Sequence, residues 1–422
     1  MWLLDKMLKR LVGNGRLVVT DHDGKVYAYG SGGAEPIRIR LTHRKAGRHI
    51  AAYPQVGAGE AYMWGWLEVE PPHDIRDLVL FAGQQANAKG SDKELQARGP
   101  VRKFANFLAA RADSVNLRGK ARKNAEHTYN LTRRLYELFL DEDRQYTMAY
   151  YRDPATSLEQ AQLDKKAHIA AKMYLKPGMK VLDIGCGWGG LALYLHKHYD
   201  VEVLGVALAP DQIAFCQERA RAEGVADKVK FALMDYRDVE GQFDRISSVG
   251  LLEHVGTVHY PEFFRHTNRL LKPDGVMFSH CCGRGGPPGF TDKWTRKYIF
   301  PGGYIPALSE LVTQSEQAGW QVIDVEAMRF HYAYTLEEWY NRTVMHRDEI
   351  VGMYDERFYR MWQFYLAGAE QSFRYGEMVN WQLVYVKDRA AVPMTRDFMY
   401  DESARLRGSD EPPVWHLAEA AE

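Results

Sequence analysis

The chain has little cysteine: four residues in 422, Cys186, Cys216, Cys281 and Cys282, none of them in a Cys-x-x-Cys pair. That excludes a disulfide framework and suits a reducing compartment, so a cytoplasmic location is expected. There is no excess of charge, 55 Lys and Arg standing against 55 Asp and Glu. The balance excludes a strongly basic nucleic-acid binder as a statement about the whole chain. No apolar run approaches the ~20 residues of a membrane-spanning helix. The opening stretch MWLLDKMLKRLVGNG breaks its apolar residues with acid and base and offers no small-residue cleavage site, so no signal peptide is expected. No internal repeat is found. What is present is 46% apolar and 26% charged residues, the balance of a soluble globular protein, in a length that suggests two or three domains.

Residues 1–97 read as a small α+β domain. Ile37, Ile39 and Leu41 alternate with Arg38 and Arg40, the period of a half-buried strand. Asp23-Gly24, between LVVT and VYAYG, reads as a hairpin turn. Residues 98–134 then carry ten Lys and Arg against two acids. Together with the residues to 140 they are read as a basic helical linker, either a solvated helix or a contact with an anionic lipid surface, where each basic residue is worth about 1 kcal/mol. From 175 onward strands and helices alternate. VLDIG (181–185), VEVLGVAL (201–208), KVKFAL (228–233), FDRISSV (243–249) and GVMFSHCC (275–282) are strands separated by helical stretches. QVIDVEA (321–327) and WQLVYV (381–386) follow, flanking two aromatic-rich helical stretches at 335–350 and 354–376. Such alternation implies an α/β domain over 141–392, a doubly wound and mostly parallel sheet covered on both faces, with a helical cap. The segment 393–422 reads as a polar, loose tail.

The sharpest local signal is VLDIGCGWGG. After Asp183 and Ile184, glycines 185, 187, 189 and 190 open a helix. Glycine permits tight turns and close approach of backbone to ligand, and the helix N-terminus offers free N–H groups. The loop resembles motif I of class I S-adenosylmethionine methyltransferases. It departs from an NAD site, which would want different glycine spacing and an acid ending the second strand. Here that strand ends VALAPDQ, with no acid until Asp211, and Gln212 is the nearest polar candidate.

Five further pieces narrow the family: GEAYMWG (59–65), VGLLEHVG (249–256), FSHCCG (278–283), KYIFPGGYIP (297–306) and FHYAYTLEEWYNR (330–342). With the glycine loop they resemble the cyclopropane-fatty-acyl-phospholipid synthases and their mycolic-acid relatives, over about residues 15–388. The resemblance implies methyl transfer from S-adenosylmethionine to a cis double bond of a phospholipid acyl chain. The carbocation so formed loses a proton and closes a three-membered ring, with water excluded and a base, a bound bicarbonate, at hand. It implies no metal.

Residue by residue, the resemblance gives the anion site Glu253, His280, Tyr332 and the backbone of Cys282, with Met148 where the family carries cysteine. Met148 lies in Tyr146-Thr147-Met148-Ala149-Tyr150, and the nearby His127-Thr128-Tyr129-Asn130 departs from the family's pattern too. Cofactor contacts are expected from Gly185, Gly187, Gly189, Gln212 and Tyr236, with Tyr146 and Thr147 closing over the methionine end and Asp183 positioning the loop. Trp339, Tyr340 and Trp362, with Phe364 and Tyr365, are the candidates for the acyl channel. Tyr304 is the candidate for an aromatic face toward the cation.

The first reading is thus an S-adenosylmethionine-dependent C-methyltransferase making cyclopropane acyl chains, peripheral at the inner membrane face. Residues 1–97 are expected to serve lipid presentation or a homodimer contact. Its rival, motivated by Met148, ends in a methyl-branched alkene. A non-catalytic lipid-binding homologue is a third class, opposed by the retained Glu253, His280 and Tyr332. A nucleic-acid methyltransferase is disfavoured by neutral charge and by the missing Asn/Asp-Pro-Pro-Tyr motif of enzymes that flip bases.

Overall fold

In a computed structural model of the chain, the described residues are 1–32, 35–54, 56–88 and 131–409. The basic segment at 98–130, with His127 to Asn130, lies outside them. The described residues form two compact units. One contains those up to 88 together with Phe290–Pro301 and Leu336–Met378; the other contains those from 131 to Gly289, Gly302–Thr335, and those from Val379 onward.

The first unit holds a four-stranded sheet in the order β2-β1-β3-β4, formed by Leu17–Thr20 (β1), Val26–Tyr29 (β2), Ile37–Leu41 (β3) and Leu67–Val69 (β4). β1 and β2 are the antiparallel hairpin expected at Asp23-Gly24. Asp21 Oδ1 accepts from the N–H groups of Asp23 and Lys25, and Gly24 takes a positive φ of 82°. β3 buries Ile37, Ile39 and Leu41 and exposes its arginines.

The two aromatic helical stretches belong to this unit. The sequence segmentation groups them with 141–392; contact groups them with the N-terminal segment, because their polar residues are matched there. Arg76 donates to Glu370 (2.6 Å) and to Glu337 (2.6 Å), and Glu370 is fully buried. Tyr340 donates to Asp74 (2.8 Å) and Tyr62 to Gln363 (2.9 Å). In the GEAYMWG motif, Glu60 is buried and accepts from Lys297 and Tyr298 (both 2.8 Å), with His49 at 2.7 Å.

The second unit is built on a seven-stranded sheet in the order β10-β11-β9-β8-β5-β6-β7. Its strands are Lys180–Ile184 (β5), Glu202–Ala207 (β6), Val229–Leu233 (β7), Phe243–Val249 (β8), Leu271–Arg284 (β9), Gln321–Met328 (β10) and Met378–Val386 (β11). β7, β6, β5, β8 and β9 pair in parallel and β10 pairs with β11 antiparallel. The strands read as apolar runs because both faces are covered. One face packs helices 158–172, 190–199 and 210–222 through Leu163, Leu191 and Ile213; the other packs 260–270 and 308–317 through Phe263, Phe264 and Leu311. This is the expected α/β architecture.

The expectation of a loose tail is corrected in its described part. Asp397–Ser409 is a helix that buries Met399, Ser403 and Leu406. Met399 and Leu406, seven residues apart, form one apolar stripe hidden among charges, and they join the core of the covered face. No described helix is long and apolar enough to cross a membrane.

Candidate active site

The C-terminal edge of the parallel strands is where open α/β sheets present ligand sites. β5 ends there in the glycine loop. Gly185, Gly187 and Gly189 adopt φ of 83°, 54° and 83°, a region that L side chains rarely adopt. A Cβ on Gly189 would lie 2.9 Å from Phe231 Cζ, whereas a Cβ on Gly187 would meet nothing within 4 Å. The loop therefore leaves open space above Gly187, at the start of the helix Gly190–Tyr199. Asp183 is buried beneath it and accepts from Ser247 (2.7 Å), with its carboxyl pushed up to about 6 by burial. Its contact fits a positioning role. The helix Pro210–Ala222 props the loop through Arg219, which donates to the Trp188 carbonyl at 3.0 Å. Gln212 is buried in the first turn of that helix. Tyr236 follows β7, half-buried, its ring edge-on to Phe263 at 5.4 Å.

β8 and β9 carry the next group. Val249 is in register with His280, and Gly250 N–H donates to the His280 carbonyl (2.8 Å). The chain then turns through Leu252–Val255, which presents Glu253. Glu253 is buried. Its Oε1 accepts from the backbone N–H of Cys282 (2.5 Å), and its Oε2 is buried without a hydrogen-bond partner. Burial pushes this carboxyl up to about 7. His280 is 1% exposed, and burial pushes its imidazole down to about 3, so it is neutral. Glu253, His280 and Cys282 are thus brought together, with the Cys282 N–H directed to Glu253. The PGGYIP loop joins them: Tyr304 N–H donates to the Glu253 carbonyl (2.9 Å), while its hydroxyl is engaged by Glu310 (2.9 Å).

Met148 and Tyr332 form a second group. Met148 is fully buried. Its neighbour Ala149 donates N–H to Thr335 Oγ1 (3.0 Å), and Tyr151 donates to His331 Nδ1 (3.0 Å). These bonds fasten the 146–151 segment to the first turn of helix His331–Met345, which carries the half-buried Tyr332. Tyr150 is stacked between His168 (4.4 Å) and His331 (4.9 Å).

Sequence reasoning missed the support of Gln145 and Thr147, the residues on either side of Tyr146. Lys165 is 1% exposed, and its ammonium donates to Thr147 Oγ1 (2.7 Å) and Gln145 Oε1 (2.8 Å). Burial lowers its pKa. Asp143 pairs with Lys166 (2.7 Å) and Arg219 (2.8 Å), linking this segment to the helix that props the glycine loop. The signal available was weak: LDKKAHIAAK reads as a solvated helix face. Trp339, Tyr340 and Trp362 lie in the other unit, all nearly fully buried, with Tyr340 committed to Asp74.

A family model described as mycolic acid cyclopropane synthetase matches residues 117–383. The chain is 37% identical over 356 residues to the cyclopropane-fatty-acyl-phospholipid synthase of Escherichia coli K12, covering 84% of this chain and 88% of that protein. It is 33% identical over 353 residues to the "Probable fatty acid methyltransferase" of Pseudomonas putida, covering 81% and 86%. Among solved structures, the mycolic acid cyclopropane synthase CmaA1 complexed with SAH and CTAB aligns with a TM-score of 0.60 at 29% identity, covering 63% of this chain and 97% of that one. The chain therefore belongs to the mycolic acid cyclopropane synthetase family.

Proposed function

We propose that this protein is an S-adenosylmethionine-dependent C-methyltransferase that adds a methylene across a cis double bond of phospholipid acyl chains. The observation that carries the reading is Glu253: a buried carboxyl with one oxygen unpartnered, tied to β9 beside a neutral His280, on the same sheet edge as an open glycine loop. The names of the E. coli and P. putida relatives support the same class of chemistry.

The residues fit the cofactor. The loop through Gly185, Gly187 and Gly189 would let it approach the backbone, Gln212 and Tyr236 would bind its nucleoside end, and Tyr146 together with Thr147, which Lys165 braces, its methionine end. When bound it supplies an electrophilic methyl group. The fit to a small oxyanion such as bicarbonate rests on Glu253. With its carboxyl near 7, Glu253 holds a proton at Oε2 for much of the population at neutral pH and can donate it to an anion. Neutral His280 and the Tyr332 hydroxyl would complete the set, and the anion would supply a proton acceptor. Burial of Glu253, His280 and Met148 keeps water from a cationic acyl chain. Trp339, Tyr340 and Trp362 are proposed to serve the acyl chain, and the basic segment 98–134 to bring the enzyme to the anionic inner face of the membrane.

Met148 favours one second reading. A thioether in place of a thiol removes a polar group from the anion site. With a displaced anion the acyl cation would lose its proton from a neighbouring chain carbon, giving a methyl-branched alkene. The test of the shared claim is mass analysis of acyl chains after incubation with S-adenosylmethionine and vesicles of a cis-monounsaturated phospholipid. A gain of one CH2 is expected, and no gain would refute the proposal.

A further inference from the structure

β11 is an apolar strand broken at two positions, Asn380 and Gln382, which lie two residues apart and so share one face. Both are fully buried, and both reach the same side chain. Gln382 Nε2 lies 3.1 Å from His280 Nδ1, and Asn380 Nδ2 lies 3.3 Å from His280 Nε2 and 3.7 Å from Cys282 Sγ. The amide oxygens, Asn380 Oδ1 and Gln382 Oε1, are buried without a hydrogen-bond partner. A neutral imidazole has one N–H and one bare nitrogen. Between two amides it accepts from one and donates to the oxygen of the other, so one of the two amides turns its oxygen to the ring and relieves that oxygen. A second ring proton is opposed by burial and by the positive field of Lys165 and Lys172, with Glu326 the nearby carboxylate acting the other way.

We propose that Asn380 and Gln382 are positioning residues for His280: the shorter contact from Gln382 to Nδ1 (3.1 Å) holds the imidazole in one orientation and one neutral tautomer, and the longer contact from Asn380 to Nε2 (3.3 Å) is the one that yields when this nitrogen turns to a ligand beside Glu253. The consequence for turnover rests on the proposed methyl transfer; the grip itself does not.

The test uses the full chain with 15N-labelled histidine, the His280 ring signals being assigned by their loss in His280→Asn. Gln382→Glu keeps the size of the side chain but sets a carboxylate against Nδ1. The ring is expected to gain a second proton at neutral pH, visible in its nitrogen shifts. The kcat is expected to fall roughly tenfold or more, with the KM for S-adenosylmethionine within about twofold of wild type. Gln382→Met removes the partner without adding charge and serves if the first variant does not fold. Its ring signals are expected to move to an average of the two tautomers with a smaller loss of kcat. Retained binding of S-adenosylhomocysteine by calorimetry establishes that the variants are folded. Unchanged ring shifts would overturn the grip, and changed shifts with wild-type kcat would overturn the positioning role. A wild-type protein that transfers no methyl group would sink the proposed function, while the ring shifts would still decide the grip.

Discussion

Replacing Glu253 with glutamine should make the protein more stable and less active. Burial raises this carboxyl from an ordinary value of 4.5 to about 7. At 1.36 kcal/mol per pH unit, the rise corresponds to about 3 kcal/mol. A carboxyl whose folded pKa lies above its unfolded one holds its proton more tightly when folded. Below about 4.5 it is protonated in both states and carries no penalty; the penalty grows between there and 7 and is complete above. Glutamine keeps the shape and the oxygen that accepts from Cys282 N–H, without the charge. Glu253→Gln should therefore gain about 3 kcal/mol over wild type at pH 8.5 and nothing near pH 4.5, read from urea unfolding at the two pH values. The same variant should bind S-adenosylhomocysteine normally and lose roughly a hundredfold in turnover, because an amide N–H can hydrogen-bond the anion but, unlike a carboxyl, cannot exchange a proton with it. Equal unfolding midpoints at pH 8.5 would refute the burial argument, and wild-type turnover would refute the anion-site assignment.

Gly187→Ala should lower stability by only about 1–2 kcal/mol, the strain of its positive φ, since its Cβ meets nothing in the protein. It should nevertheless weaken S-adenosylhomocysteine binding roughly tenfold in calorimetry, because the proposed cofactor would approach the backbone in that space. Lys165→Met removes the two bonds that brace Gln145 and Thr147. It should cost about 2 kcal/mol in denaturant unfolding and raise the KM for S-adenosylmethionine more than it lowers kcat. Met148→Cys should leave cofactor binding unchanged and keep or increase the cyclopropane share of product, assayed by NMR of recovered esters. Exchange of Lys and Arg for Glu within 98–134 should weaken binding to anionic vesicles, and wild-type binding in co-sedimentation would return that segment to a solvated helix.

The parts of the fold that were legible are those whose physics is local. Strands buried on both faces must be apolar runs, so VLDIG and FDRISSV announce themselves, and a loop needing three positive φ values must be glycine. Ile37, Ile39 and Leu41 betray a one-sided strand by alternation. The helix at 397–409 escaped because its two buried apolar residues, Met399 and Leu406, are spread among charges. The placement of 336–378 escaped because chain order does not reveal that Asp74 and Arg76 are the partners of Tyr340 and Glu370. At the site, Glu253, His280 and Cys282 were reached through the resemblance, and the structure brings them together. The supports of Thr147 and His280 were not reached. Lys165 sits in a sequence that looks solvated, and Asn380 and Gln382, visible as polar breaks in an apolar strand, acquire meaning only once β11 lies beside β9.

The most direct test of the central claim is proton NMR of acyl esters recovered after incubating the purified protein with S-adenosylmethionine and vesicles of a defined cis-monounsaturated phospholipid. Both candidate products gain one CH2, so mass does not separate them, but their protons do. Upfield ring protons replacing the olefinic signals are the predicted result. Surviving olefinic protons beside a new methyl group, or an unchanged ester, would contradict it.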